Sequence, residues 1–152
     1  IDLAESKLEF ARVFGATDTI NASDFDPVEA VIDMTDGGAD YTFEVIGSPS
    51  ALRQAFDSLC AGGTACMVGV PPSNAEISIP MESLFSDRRL IGSSAGTGRP
   101  RVDFPWYIDM YMQGRLKLEQ LQSNFRPLEE INEAYEDMLG GEVARTILMP
   151  QR

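Results

Sequence analysis

Apolar residues in this chain fall into short groups whose spacing alternates between helical and extended, and Gly, Pro or Asp marks each change. Leu8, Ala11 and Phe14 recur at helical spacing, with Gly15 as the stop. Asp26 and Pro27 announce a second helix with a stripe of Val28, Val31 and Ile32, ended by Asp36-Gly37-Gly38. Tyr41 to Ile46 is expected to be a buried strand. Ser48-Pro49 opens a helix whose inner face is Leu52, Ala55, Phe56 and Leu59, closed by Gly62-Gly63. Thr64 to Val70 is expected to be a further buried strand, broken by Pro71-Pro72. Strands at ~20-residue intervals with helices between them fit a parallel sheet joined by right-handed crossovers.

Beyond Pro72 the pattern changes. Ile77 and Ile79 alternate with polar residues, as in an edge strand, and Arg89 to Ala95 reads as another strand. Asp103 with Pro105 opens a helix carrying Phe104, Ile108, Tyr111 and Met112, which stops at Gly114. A last helix sets Ile131, Ala134, Tyr135 and Met138 on one side and ends at Gly140-Gly141, before a terminal strand from Arg145 to Met149. A soft boundary falls between Gly92 and Gly98.

Composition narrows the function classes. No apolar run in the 152 residues approaches the ~18 needed to span a membrane. Ile1-Asp2-Leu3-Ala4-Glu5 has neither the basic nor the apolar region of a secretory signal. A net charge of −12 repels phosphate backbones and argues against nucleic acid as a partner. Two cysteines, Cys60 and Cys66, in apolar stretches imply no disulfide scaffold, and a reducing cytoplasm is the expected compartment. Histidine is absent, which excludes a Ser-His-Asp hydrolase and removes the commonest zinc ligand. Asp33, Asp36 and Asp40 around Gly37 lack the spacing of a calcium loop, and a turn ending a helix accounts for them.

The start of the chain is unusual for a nucleotide-binding sheet. Such folds open with a strand and a glycine-rich turn, and an acid ~20 residues past the first glycine binds the adenosine ribose. Here Ile1-Asp2 suits the end of a strand and runs straight into a helix. An acid there disfavours a 2′-phosphate, so Asp2 points to NAD.

Four segments in order carry a resemblance: Asp2 with Lys7 and Phe10 to Asn21, Gly37 to Gly47, Met67 to Pro72, and Ile131 to Leu148. Together they resemble the zinc-containing, NAD-dependent alcohol dehydrogenases of the medium-chain dehydrogenase/reductase family. The resemblance implies an α/β fold: part of a Rossmann-like doubly wound parallel sheet, without its first strand and glycine-rich turn. On that reading residues 1–93 are the C-terminal portion of the NAD-binding domain. Residues 94–152 are a segment that packs with the catalytic domain.

The same resemblance implies the coenzyme contacts. Asp2 and Lys7 would bind the adenosine ribose, and Val45 and Ile46 would flank the adenine. Val68 and Val70 would lie near the nicotinamide ribose, with Ser93 and Ala95 bordering the amide. Arg145 would pair with the pyrophosphate, for which a guanidinium is well matched. Each has a plainer competitor: strand core for the valines and Ile46, a solvated face for Lys7, an ion pair with Glu142 for Arg145. Cys60 and Cys66 read as structural thiols, and the glycine run Gly96 to Gly98 as a loop.

In this family two cysteines and a histidine of an N-terminal domain hold the catalytic zinc, and hydride passes from an alcohol to the nicotinamide. None of those ligands is in this chain. The expectation is therefore part of a longer dehydrogenase, acting on an alcohol or aldehyde as a whole and inactive by itself. Homo-oligomers are expected through edge strands at Ile77–Ile79 and Arg89–Ser94. Two alternatives remain: a zinc-free, quinone-oxidoreductase-like reductase using NADPH, against which Asp2 argues, and a non-catalytic nucleotide-binding or oligomerisation module.

Overall fold

In a computed structural model that describes residues 1–141 and 143–150, the first helical stripe becomes α1 (Glu5–Val13), which buries Leu8. The side chain of Asp2 accepts from the Ala4 N–H just ahead of it, at 3.0 Å. The chain then returns, and Arg12 donates to the Thr19 hydroxyl at 2.7 Å. Asp2 and Asn21 form an isolated parallel bridge, with the Asp2 N–H donating to Ile20 at 3.2 Å and that of Ala22 to Asp2 at 3.0 Å.

α2 (Pro27–Thr35) starts as the sequence predicts. Asp26 accepts from the N–H groups of Val28 and Glu29, at 2.8 and 3.1 Å, and Pro27 occupies the first turn, where its missing N–H costs nothing. Asp36 ends the helix in a left-handed conformation. Next come β1 (Ala39–Glu44), α3 (Pro49–Asp57), β2 (Leu59–Met67) and β3 (Arg89–Gly92). Both strand pairings are parallel, in the order β1-β2-β3.

The chain forms two compact units, Ile1–Gly98 and Arg99–Arg152. In the first unit the core lies between α3 and one face of the sheet. Phe56, Leu59 and Ala65 are fully enclosed, and Ile79 packs against them. Thr42 donates to the Ala55 carbonyl at 2.8 Å, which fixes the face of β1 that meets α3. Because side chains alternate along a strand, Tyr41 and Phe43 point to the other face. They are 71% and 65% exposed.

That bare face corrects the expectation that Tyr41 to Ile46 is a buried strand, whereas Thr64 to Met67 of β2 has no exposed residue. The apolar run is present, but one helix layer covers one face only. Strand limits also differ, and β1 itself runs Ala39–Glu44 where Tyr41 to Ile46 is expected. β2 begins at Leu59 and runs through Gly62-Gly63, because the register slips there: Ala39 faces Leu59, but Tyr41 faces Thr64. β3 stops at Gly92, since β2 supplies partners only as far as Met67. Ile77–Ile79 forms no ladder among the described residues. Arg53 takes the Ser78 carbonyl at 2.7 Å, and Ile79 is drawn into the core.

The second unit holds α4 (Pro100–Met112), β4 (Asn124–Pro127), α5 (Ile131–Gly140) and β5 (Thr146–Met149). α4 starts at Pro100, earlier than Asp103, because the Asp103 carboxylate reaches back to accept from the Arg99 N–H. Pro105 therefore lies inside the helix, without a backbone donor. β4 and β5 pair in parallel. Arg126 ties β4 to its surroundings, donating to Glu130 at 2.8 Å and to Asp137 of α5 at 2.8 and 3.0 Å. The stripe expected on α5 is only partly used: Ala134 is buried, whereas Ile131, Tyr135 and Met138 are exposed.

Candidate functional site

Parallel strands bring all their carboxyl ends to one edge of the sheet. β1, β2 and β3 end at Glu44, Met67 and Gly92, so the residues that follow them, Val45-Ile46, Val68 to Val70 and Ser93, gather along that edge. Backbone bonds lock them together. Val68 and Gly69 both donate to the Glu44 carbonyl, at 2.8 and 3.0 Å, and Ser93 donates to Met67 at 2.8 Å. Crevices outside the carboxyl ends of such strands are where open α/β sheets bind ligands.

Glu44 organises the first of these loops. Its side chain is 3% exposed, and one oxygen, Oε1, accepts from three successive N–H groups: Ile46 at 2.8 Å, Gly47 at 2.7 Å and Ser48 at 3.2 Å. Successive N–H groups aimed at one anion form a nest, here filled from within the chain. The other oxygen, Oε2, is sealed from solvent and has no partner. Ser48 then caps α3.

Two glycines let the loops interlock. Gly47 has a φ of +87°, and a Cβ there would lie 2.3 Å from the Val70 carbonyl oxygen. A Cβ on Gly69 would lie 2.1 Å from the Gly47 nitrogen. Neither position has room for a side chain.

Of the residues expected at a coenzyme, the structure brings Val45, Ile46, Val68, Val70 and Ser93 to this edge. Val45, Ile46, Val68 and Val70 are exposed, so they are not strand core; Ile46 is 75% and Val70 89% accessible. Asp2 is exposed at its bridge to Asn21, in the same unit. Lys7 is half-buried on α1. Ala95 begins a short turn in which Ala95, Gly96 and Thr97 all have positive φ, an arrangement that costs ~1–3 kcal/mol for each non-glycine residue. Arg145 is exposed just before β5, in the other unit, and its carbonyl accepts from Ser123 at 2.9 Å. Its expected neighbour Glu142 lies outside the described residues.

Sequence reasoning misses Glu44, Gly47 and Gly69. The signal for Glu44 is a lone charge within the apolar run Thr42 to Ile46. The glycines give no comparable signal, since close approach of two loops leaves no mark on composition.

The two cysteines do not form a metal site. Cys60 follows Leu59, which faces Ala39, whereas Cys66 faces Phe43, so the two cysteines lie at separate positions along the sheet. Among the described residues no group of three His, Cys, Asp or Glu converges. Burial, followed by a hydrogen bond to Asp40 at 3.5 Å, pushes the Cys60 thiol above its ordinary pKa. Little thiolate should therefore form at pH 8, and Cys60 should be alkylated by iodoacetamide several-fold more slowly than free cysteine, by mass spectrometry. An equal rate would show that neither the burial nor the Asp40 contact of Cys60 holds in solution. A cavity of about 420 Å³ in the second unit, lined by Tyr111, Leu116, Lys117 and Glu119, includes none of the residues expected at a coenzyme.

Comparison with known proteins places this geometry in a family. Residues 1–113 match the family described as zinc-binding dehydrogenase. Alcohol dehydrogenase 1 of Trifolium repens is 38% identical over 151 residues, covering 97% of this chain and 40% of that protein. The solved structure of benzyl alcohol dehydrogenase from Acinetobacter calcoaceticus matches with a TM-score of 0.92 at 34% identity, over 97% of this chain and 41% of that one. An alcohol dehydrogenase zinc-binding domain protein from Burkholderia ambifaria matches with a TM-score of 0.94 at 33% identity, over 99% and 41%. The chain thus spans about 40% of the length of its relatives, and it belongs to the zinc-binding dehydrogenases.

Proposed function

We propose that this chain forms the carboxyl-edge part of the NAD site in an alcohol dehydrogenase whose catalytic zinc is held outside these residues. Residues 1–93 are the C-terminal portion of the coenzyme domain, and residues 94–152 pack with the catalytic domain. The observation that carries this reading is the gathering of Val45, Ile46, Val68, Val70 and Ser93 at one edge of a parallel sheet, with the apolar side chains turned outward. Apolar residues exposed on fixed loops are suited to the faces of an adenine and a nicotinamide ring. Asp2 accepts from the ribose hydroxyls, with Lys7 beside it. Ser93 and Ala95 border the amide. NAD, when bound, supplies the hydride acceptor for an alcohol or the donor, as NADH, for an aldehyde. No step is assigned to the metal, because no ligand set converges among the described residues.

Titration of the intact polypeptide with NADH, followed by fluorescence, tests this. Saturable binding is expected, and Asp2→Ala should weaken it about tenfold, the scale of losing charge-assisted hydrogen bonds. The variant should also bind NADPH more tightly relative to NADH, since the repulsion of a 2′-phosphate is gone. Absence of binding, or unaltered affinity and preference in Asp2→Ala, would count against the reading.

A further inference from the structure

We propose that Glu44 is a positioning residue for the coenzyme: it holds the loop at the end of β1 so that Val45 and Ile46 present their side chains outward. This rests on the NAD reading above. A carboxylate taken out of water is costly unless bonded, and Glu44 meets that cost unevenly. Oε1 holds the N–H groups of Ile46, Gly47 and Ser48, and the residue's own carbonyl holds those of Val68 and Gly69. One residue therefore fastens two strand-end loops by five backbone donors. Its second oxygen is enclosed with no partner.

An apolar residue there would spare the enclosed oxygen but take the acceptor away from three loop N–H groups, so what the carboxyl group supplies is a fixed loop. Val45 and Ile46 are large, apolar and exposed, and they sit on the segment whose N–H groups Glu44 collects. Without the clamp these side chains could turn inward, and the three N–H groups would need other acceptors.

The role depends on reach more than on charge, which separates it from a general electrostatic effect. Glu44→Gln keeps an oxygen at the right distance and loses the charge. Glu44→Asp keeps the charge but is one methylene short of the three donors. In the intact polypeptide, Glu44→Asp should raise the Kd for NADH about tenfold and Glu44→Gln less than about threefold, consistent with the loss or retention of bonds to backbone donors. Amide exchange at Ile46, Gly47 and Ser48 should quicken in Glu44→Asp and stay near wild type in Glu44→Gln. A merely structural role would lower thermal stability in both variants while the folded protein kept its wild-type Kd, and that result overturns the proposal. Wild-type protein that fails to bind NADH removes the coenzyme reading and this role with it. Binding by wild type with equal Kd in Glu44→Asp removes this role alone. Should Glu44→Asp fail to fold, Glu44→Gln carries the test: its Kd rising tenfold with exchange unchanged would show that charge, not reach, is what matters.

Discussion

Alanine at position 56 is expected to abolish cooperative folding of the Ile1–Gly98 unit near 37 °C. Phe56 is fully enclosed between α3 and the sheet, against Leu59, Ala65 and Ile79. Truncating such a phenylalanine costs ~3–5 kcal/mol, because the lost burial adds to the cavity left behind. A domain typically has ~5–15 kcal/mol in hand, and a unit with one bare sheet face lies toward the low end. Far-UV circular dichroism in urea is the suitable measurement, since the single tryptophan, Trp106, belongs to the other unit. A loss below ~1 kcal/mol would mean that the cavity is filled by repacking of neighbouring side chains.

Gly69→Ala is expected to disrupt the candidate site more than any change of a side chain that faces it. The added carbon would lie 2.1 Å from the Gly47 nitrogen and 2.6 Å from two backbone atoms of Ile46. Backbone atoms cannot step aside as the tip of a flexible side chain can, so one loop must move. The displacement would break the Gly47 bond to Glu44 and shift Val45 and Ile46 together. NADH affinity should fall more than tenfold, a larger effect than losing one hydrogen bond, with a drop in melting temperature of several degrees. Serine at position 69 should behave like alanine, because the clash arises at Cβ. Wild-type affinity in Gly69→Ala would place the coenzyme away from this edge.

Helix starts are the most legible part of this fold. Asp26-Pro27 and Ser48-Pro49 predict the observed caps, because an oxygen acceptor followed by a residue with no donor matches what the first turn of a helix needs. Strand interiors are legible too, but their limits depend on the neighbour. Gly62-Gly63 reads as a stop, yet β2 continues through it because five residues there span the distance that two span in β1. β4 escapes detection: Asn124, Arg126 and Pro127 lack strand character, and the pairing with β5 decides the matter. An apolar run on both faces of a strand records that two layers can cover it, without recording which are present.

At the site the same division holds. Residues just past the strand ends can be named from pattern and resemblance, because position in the chain fixes their place in a parallel sheet. The Glu44 clamp cannot, since it depends on a side chain curling back onto its own loop. Nor can the fit of Gly47 against Val70, which is a meeting of segments more than twenty residues apart.

That fit bears on the kinetics of binding. Loops 45–47 and 68–70 cannot shift separately, so a ligand arriving at this edge meets a surface already in its final arrangement. Little conformational entropy is left to lose there, and association should proceed in a single phase without a slow ordering step. Any slow phase in coenzyme binding would then arise elsewhere in the protein, in a part free to close.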